Sequence, residues 1–137
     1  MMAHHISAVI GAHPKGAGSL HKEKLAECIA ACFECAQTCT ACADACLGED
    51  MVADLAVCIR TNLDCADICA ATGNILTRLT GANTELTREA LQACRTACAV
   101  CAEECERHAG MHEHCRICAE ACRRCENACA ALLESMV

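Results

Sequence analysis

A chain of 137 residues carries 18 cysteines, and their spacing is regular. Cys28, Cys32, Cys35, Cys39, Cys42 and Cys46 follow one another at intervals of 4, 3, 4, 3 and 4. On an α-helix that rhythm places every sulfur on one face, where a bundle helix normally carries leucine. Cys94, Cys98, Cys101 and Cys105 repeat the rhythm, as do Cys115, Cys118, Cys122, Cys125 and Cys129. Cys58, Cys65 and Cys69 keep it with one gap, and Asn62 stands in the gap. Inward-facing stripes of this kind make a thiol-lined tube along a bundle axis. At about 1.5 Å per residue the first stripe alone runs roughly 27 Å.

Several chemistries compete for such a stripe. A buried cysteine can serve as a small hydrophobe. Alanine or valine would pack as well, without the risk of oxidation. Disulfides between helical neighbours are poor, because Cβ atoms about 5–6 Å apart exceed the 3.5–4.5 Å or so that a bridge wants. Cross-helix bridges stay open. The ferredoxin spacing with its terminal Cys-Pro is absent. C-x2-C pairs occur at Cys32/Cys35, Cys39/Cys42, Cys98/Cys101, Cys115/Cys118 and Cys122/Cys125. A 3-4 rhythm generates such pairs automatically, so each is a weak zinc signal. Zinc prefers closed sites of four ligands, and a continuous stripe does not divide naturally into them. Cu(I) fits best. Soft thiolates select it, and bridging thiolates shared along the tube give a capacity of about one ion per cysteine. Each Cu⁺ replaces a thiol proton, so a filled tube stays near neutral.

The two ends of the tube differ. One step of three beyond Cys105 reaches His108, and one step of three before Cys115 reaches His112. Both imidazoles fall in register with the sulfur stripes at one end, near Cys46, Met51 and Met111. There they can hold the outermost ions or pass them inward. His114 is off the stripe and is expected to face solvent. At the other end the stripes continue as Leu25, Leu76, Leu91 and Leu132, an apolar plug. Metal is therefore expected to pass at the His108/His112 end. The amide of Asn62 can ligate metal or accept an S–H bond. His4, His5 and His13, Asp64, and the charged residues Glu103, Glu104, Arg123 and Arg124 read as surface.

Helices must carry these residues. Ala, Leu, Glu, Arg and Gln dominate the cysteine-bearing segments, and all are good helix formers. Residues 1–18 form a lead-in with the only proline, Pro14, expected to be extended or partly flexible. Residues 19–137 read as one all-α domain, an antiparallel up-down-up-down four-helix bundle with a Cys-lined core. Its helices run from about Leu20 to Leu47, from about Asp50 (a plausible N-cap) to Thr80 with Gly81 beyond it, from Asn83 or Thr84 to just before Gly110, and from about Met111 to Ser135. Thr72-Gly73-Asn74 is the expected place for a kink.

Composition excludes other classes. One Phe, no Trp and no Tyr leave the interior to sulfur and small methyl groups. A net charge of −7 offers no footprint for nucleic acid. No apolar run is long enough to span a bilayer. The stretch MMAHHISAVIGAHPKG lacks the features of an export signal, so a cytosolic location with reduced thiols is expected. No Ser-His-Asp set, phosphate loop or pair of catalytic carboxylates appears, so no enzyme is expected. Ile29, Phe33, Ile59, Leu63, Ile68 and Val100 lie off the stripe and predict contacts between subunits, in a dimer or a tetramer.

The runs CIAACFECAQTCTACADAC, CIRTNLDCADIC, CRTACAVCAEEC and CRICAEACRRCENAC, with the turn HAGMHEHC, resemble the cytosolic branch of the bacterial copper storage proteins. The resemblance covers roughly residues 20 to 135. It implies a four-helix bundle filled with Cu(I), all 18 cysteines as ligands, and a tetramer. It also implies His108 and His112 beside an open mouth, and Asn62 at a position that takes a polar ligand. General thiolate detoxification of zinc or silver, thiol-redox cycling, and a chaperone delivering single ions are the contrasting functions.

Overall fold

The computed structural model describes residues 4–136, without the side chain of His4. It is helical, with no strand among the described residues. The elements are α1 (His4–Ala12), α2 (Lys22–Leu47), a 3-10 turn (Val52–Leu55), α3 (Ala56–Thr77), α4 (Thr84–His108) and α5 (Glu113–Ser135). The four long helices form a closed ring of neighbours: α2 packs on α3, α3 on α4, α4 on α5 and α5 on α2.

The lead-in departs from the expected extended chain. Nothing before Pro14 breaks a helix, and Ile6 and Ile10 recur on one face. Ile10 is buried and α1 packs on α2. Gly16 and Gly18, with φ of 63° and 62°, then turn the chain back toward α2 in a conformation that only glycine adopts without cost.

The ends of the long helices follow local chemistry. His21 caps α2, its Nδ1 accepting from the Lys24 N–H at 3.3 Å. Asn83 caps α4, whose start at Thr84 is where the sequence puts it, its Oδ1 accepting from the Leu86 N–H at 2.9 Å. Asp50 does not cap a helix. The chain first makes the 3-10 turn, which tucks Leu55 into the core, and α3 starts after it. α3 stops at Thr77, short of the expected Thr80, and Gly81 takes φ 70° in the loop that follows. α5 starts at Glu113, two residues later than Met111, with His112 at the cap position.

All 18 cysteines are buried, at 2% exposure or less. Leu25, Leu76, Leu91 and Leu132 are buried with them, and they close one end of the sulfur column. Of the off-stripe apolar residues, Ile29 is buried within the chain itself, where a subunit contact had been expected. Phe33, Leu63 and Val100 stay exposed, at 40%, 43% and 51%. No helix is long and apolar enough to cross a membrane.

Candidate metal centre

The 3-4 spacing does what helical geometry dictates: it delivers sulfurs from four helices to one axis. Near the leucine plug, Cys28 Sγ lies 3.8 Å from Cys129 Sγ. Cys125 then meets Cys32 at 3.8 Å, and Cys94 meets Cys69 at 3.7 Å. Midway, Cys39 stands 3.7 Å from Cys35, 3.7 Å from Cys118, 3.5 Å from Cys122 and 3.9 Å from Cys101. Cys65 meets Cys98 at 3.9 Å, and Cys58 meets Cys105 at 3.9 Å. These separations are far beyond the S–S bond of about 2.05 Å, and every cysteine is a free thiol. Metal–thiolate bonds of about 2.3 Å would hold two sulfurs of one ion at most about 4.6 Å apart. The column meets that limit repeatedly.

Groups of four sulfurs form along it, such as Cys32/Cys94/Cys125/Cys129, Cys35/Cys65/Cys69/Cys98, Cys35/Cys39/Cys65/Cys122 and Cys39/Cys101/Cys118/Cys122. The groups overlap: Cys35 and Cys39 each belong to two of those that include Cys122 or Cys98. A shared sulfur is a bridging ligand. Through the middle of the column the groups share ligands and are not isolated closed sites.

Asn62 interrupts the sulfur with an amide. Its Oδ1 accepts thiol protons from Cys101 at 3.0 Å, Cys118 at 3.3 Å and Cys105 at 3.4 Å. Its Nδ2 donates to Cys58 Sγ at 3.7 Å. The oxygen and the nitrogen of the buried amide are thus each partnered by thiols.

The open end is built by the turn after α2, the end of α4 and the start of α5. His114 corrects the expectation that it faces solvent. Its Nδ1 lies 3.4 Å from Cys42 Sγ and 3.6 Å from Cys115 Sγ, and its Nε2 donates to Glu49 Oε2 at 2.8 Å. Cys42, Cys46, His114 and Cys115 make the outermost group. His112 stacks on His114, with ring centroids 5.5 Å apart, and its Nδ1 lies 3.1 Å from Glu49 Oε2. His108 Nε2 meets Glu104 Oε2 at 3.0 Å. Neither His108 nor His112 has a sulfur within hydrogen-bond distance among the described residues. Met51 and Met111 are exposed at this end.

Glu104 is a second correction. It is buried, and it also receives Arg107 Nη1 at 2.9 Å. One helical step of four from His108 was its signal in the sequence. Glu49 had no such signal, because it belongs to a turn. Arg123 and Arg124 tie α5 to its neighbours, Arg123 to Glu106 of α4 and Arg124 to Glu27 and Glu34 of α2. In the lead-in, His5 is exposed, and His13 has both ring nitrogens engaged, with the Lys15 N–H at 2.9 Å and Thr80 Oγ1 at 3.4 Å. The His4 side chain lies outside the described residues.

The mouth thiols are shifted in opposite directions: hydrogen bonds with Cys105, Cys118 and Cys58 lower Cys42, whereas burial pushes Cys46 up to about 11 and Cys115 up as well. The hydrogen bond from His114 holds the Glu49 carboxyl below its ordinary value. Burial alone would lower His114, but Cys42 and Glu49 outweigh it and the net shift is upward. Where the thiols stay protonated the column carries no charge, which avoids the cost of burying bare thiolates. An ion that binds as a soft cation exchanges with those protons.

Comparison with known proteins agrees with this geometry. The sequence profile of the copper storage proteins matches residues 21–134. An uncharacterized cysteine-rich protein of Bacillus subtilis, YhjQ, is 34% identical over 105 residues, which is 77% of this chain and 92% of that one. The copper storage protein Ccsp of Streptomyces lividans, solved loaded with 10 copper equivalents, is 56% identical. It superimposes with a TM-score of 0.93 over 95% of this chain and 98% of its own. A structure of the cytosolic copper storage protein from the same organism with five coppers is 63% identical, with a TM-score of 0.81 over 82% of this chain and 93% of its own. A column of 18 buried free thiols, in a helical bundle that this profile spans almost end to end, places the chain in the copper storage protein family.

Proposed function

We propose that the protein is a cytosolic store of Cu(I). It holds about one ion per cysteine, on thiolates that bridge neighbouring ions. The observation that carries this is the connected set of sulfurs at 3.5–4.0 Å through the middle of the bundle, with single sulfurs such as Cys39 facing four others. All 18 cysteines are ligands in this reading. Asn62 lies among them as a polar ligand or thiol acceptor, and His108 and His112 flank the mouth through which ions pass. His114 joins them. Residues 19–137 are the storage domain.

The bundle is the antiparallel four-helix form. Cys28 at the start of α2 meets Cys129 at the end of α5, while Cys42 near the end of α2 meets His114 at the start of α5. Cys69 late in α3 meets Cys94 early in α4, and Cys58 early in α3 meets Cys105 late in α4. These pairings support opposed directions. Phe33, Leu63 and Val100 leave apolar surface exposed, which supports a homo-oligomer, a tetramer by the family resemblance. The role is storage without catalysis.

Titrating reduced, metal-free protein with Cu(I) under anaerobic conditions, against a chromophoric competitor, tests this. A parallel zinc titration completes it. Tight binding of about one copper ion per cysteine, with zinc readily displaced, is the expected result. Saturation at one or two copper ions overturns it in favour of a chaperone. Zinc that copper does not displace overturns it in favour of a zinc-thiolate protein, for which the four-sulfur groups would supply the sites.

A further inference from the structure

Glu49 lies in the turn after α2, and one of its carboxylate oxygens faces two histidines of α5 and its cap. Oε2 stands 2.8 Å from His114 Nε2 and 3.1 Å from His112 Nδ1. The other nitrogen of His114, Nδ1, faces Cys42 Sγ at 3.4 Å and Cys115 Sγ at 3.6 Å. A neutral imidazole carries one N–H, and the partner of one nitrogen decides the state of the other. An ionised carboxylate only accepts hydrogen bonds. The proton of His114 is therefore fixed on Nε2, and Nδ1 offers a lone pair toward the outermost sulfurs. The same bond pins the ring, and His112 backs it by stacking at 5.5 Å.

We propose that Glu49 is a positioning residue for metal uptake, holding His114 as its Nε2–H tautomer so that Nδ1 faces Cys42 and Cys115 ready for an incoming Cu(I). The proposal rests on the copper-storage reading given above. Among the described residues Glu49 has no sulfur within hydrogen-bond distance, so it acts through the imidazole. Carboxylate partners of metal-binding histidines work in this way, and losing one typically weakens metal binding about 10–100-fold.

The negative charge of Glu49 would also attract cations, and two variants separate charge from positioning. Glu49→Gln removes the charge and keeps an oxygen that accepts from Nε2. Glu49→Ala removes both. The first readout is the His114 tautomer in reduced, metal-free protein at mildly alkaline pH, by proton–nitrogen correlation NMR. A single Nε2–H form is expected in the wild type and a tautomer mixture in Glu49→Ala; Glu49→Gln separates charge from positioning where its His114 keeps the Nε2–H form, because an amide can donate as well as accept. The second is stopped-flow uptake of less than one equivalent of Cu(I). Glu49→Ala is expected to be slowed about tenfold and Glu49→Gln to stay near the wild type. In a His114→Ala background, Glu49→Ala should add nothing further.

A His114 tautomer unchanged in Glu49→Ala overturns the proposal. So does Glu49→Gln as slow as Glu49→Ala while its His114 keeps the Nε2–H form, or an equal loss in the His114→Ala background. A wild-type protein that binds only one or two copper ions would overturn the storage reading instead. The tautomer measurement uses no metal, and it decides the hold of Glu49 on His114 in either case.

Discussion

The ring of Phe33 lies across Gly73, so that a Cβ built on the glycine would meet two ring carbons at 2.9 Å. This contact explains a glycine inside α3, which runs as one helix through Gly73 to Thr77. Two effects oppose each other in Gly73→Ala. Helix propensity favours the alanine by about 0.5–1 kcal/mol. Overpacking against the ring costs about 1–3 kcal/mol. A lower melting temperature of the reduced, metal-free protein is expected. In a Phe33→Ala background the obstruction is gone, and the same Gly73→Ala change should raise the melting temperature. The same sign in both backgrounds would disprove this account.

The mouth histidines predict a split between rate and capacity. His108 is engaged by Glu104, His112 lies against Glu49, and neither reaches a sulfur. Capacity resides in the thiols behind them. The double variant His108→Ala plus His112→Ala should slow Cu(I) uptake in stopped-flow experiments while retaining most of the ions bound at equilibrium. Loss of most of the capacity would place these residues inside the store, not at its opening.

The sulfur column was legible in the sequence because a 3-4 spacing has only one helical consequence: Cys28 through Cys46 must share a face. The leucine plug followed from the same register. Residues outside a register were not legible. His114 is adjacent to Cys115, and its place at the mouth depends on where α5 begins. With Glu113 as the first helical residue, its ring turns toward Cys42 of α2. Glu49 depends on the path of a turn, which has no periodicity to read. α1 was missed because nine residues with a glycine carry a weak signal alone; packing on α2 supplies the rest.

A pH-dependent strap joins α4 and α5. Arg123 donates to both oxygens of Glu106 at 2.9 Å, and this hydrogen bonding holds the Glu106 carboxyl below its ordinary value. A carboxyl depressed on folding stabilises the protein fully above the unfolded value, about 4.3, and loses that contribution as pH falls through the lower folded value. Both side chains are substantially exposed, at 41% and 46%, so solvent screens the pair. Arg123→Gln should therefore lower the melting temperature by only about 1–3 °C at neutral pH. The gap should close as the pH is lowered through the acid range, and it should narrow in about 1 M salt. A gap that persisted in acid would assign the effect to packing of the arginine stem.

Bridging itself can be tested by comparing two cysteines of unequal connectivity. Cys39 has four thiol partners, Cys35, Cys101, Cys118 and Cys122, within 3.9 Å, whereas Cys28 has one hydrogen-bonded thiol partner within that range among the described residues, Cys129 at 3.8 Å. Both are fully buried, so a serine in either place loses the same soft ligand from the same kind of surroundings. If each ion had its own private set of thiolates, either substitution would remove one site. If sulfurs bridge, the loss scales with the number of ions that a sulfur touches. Cys28→Ser should then cost about one copper ion and Cys39→Ser about two or more, measured by anaerobic titration to saturation. The two variants should also differ in the ultraviolet charge-transfer bands of the copper-loaded protein, with the larger change in Cys39→Ser, because its sulfur belongs to overlapping groups. Equal losses at the two positions would mean separate sites strung along the axis, and capacity would then be set by the number of closed ligand sets and not by the number of cysteines.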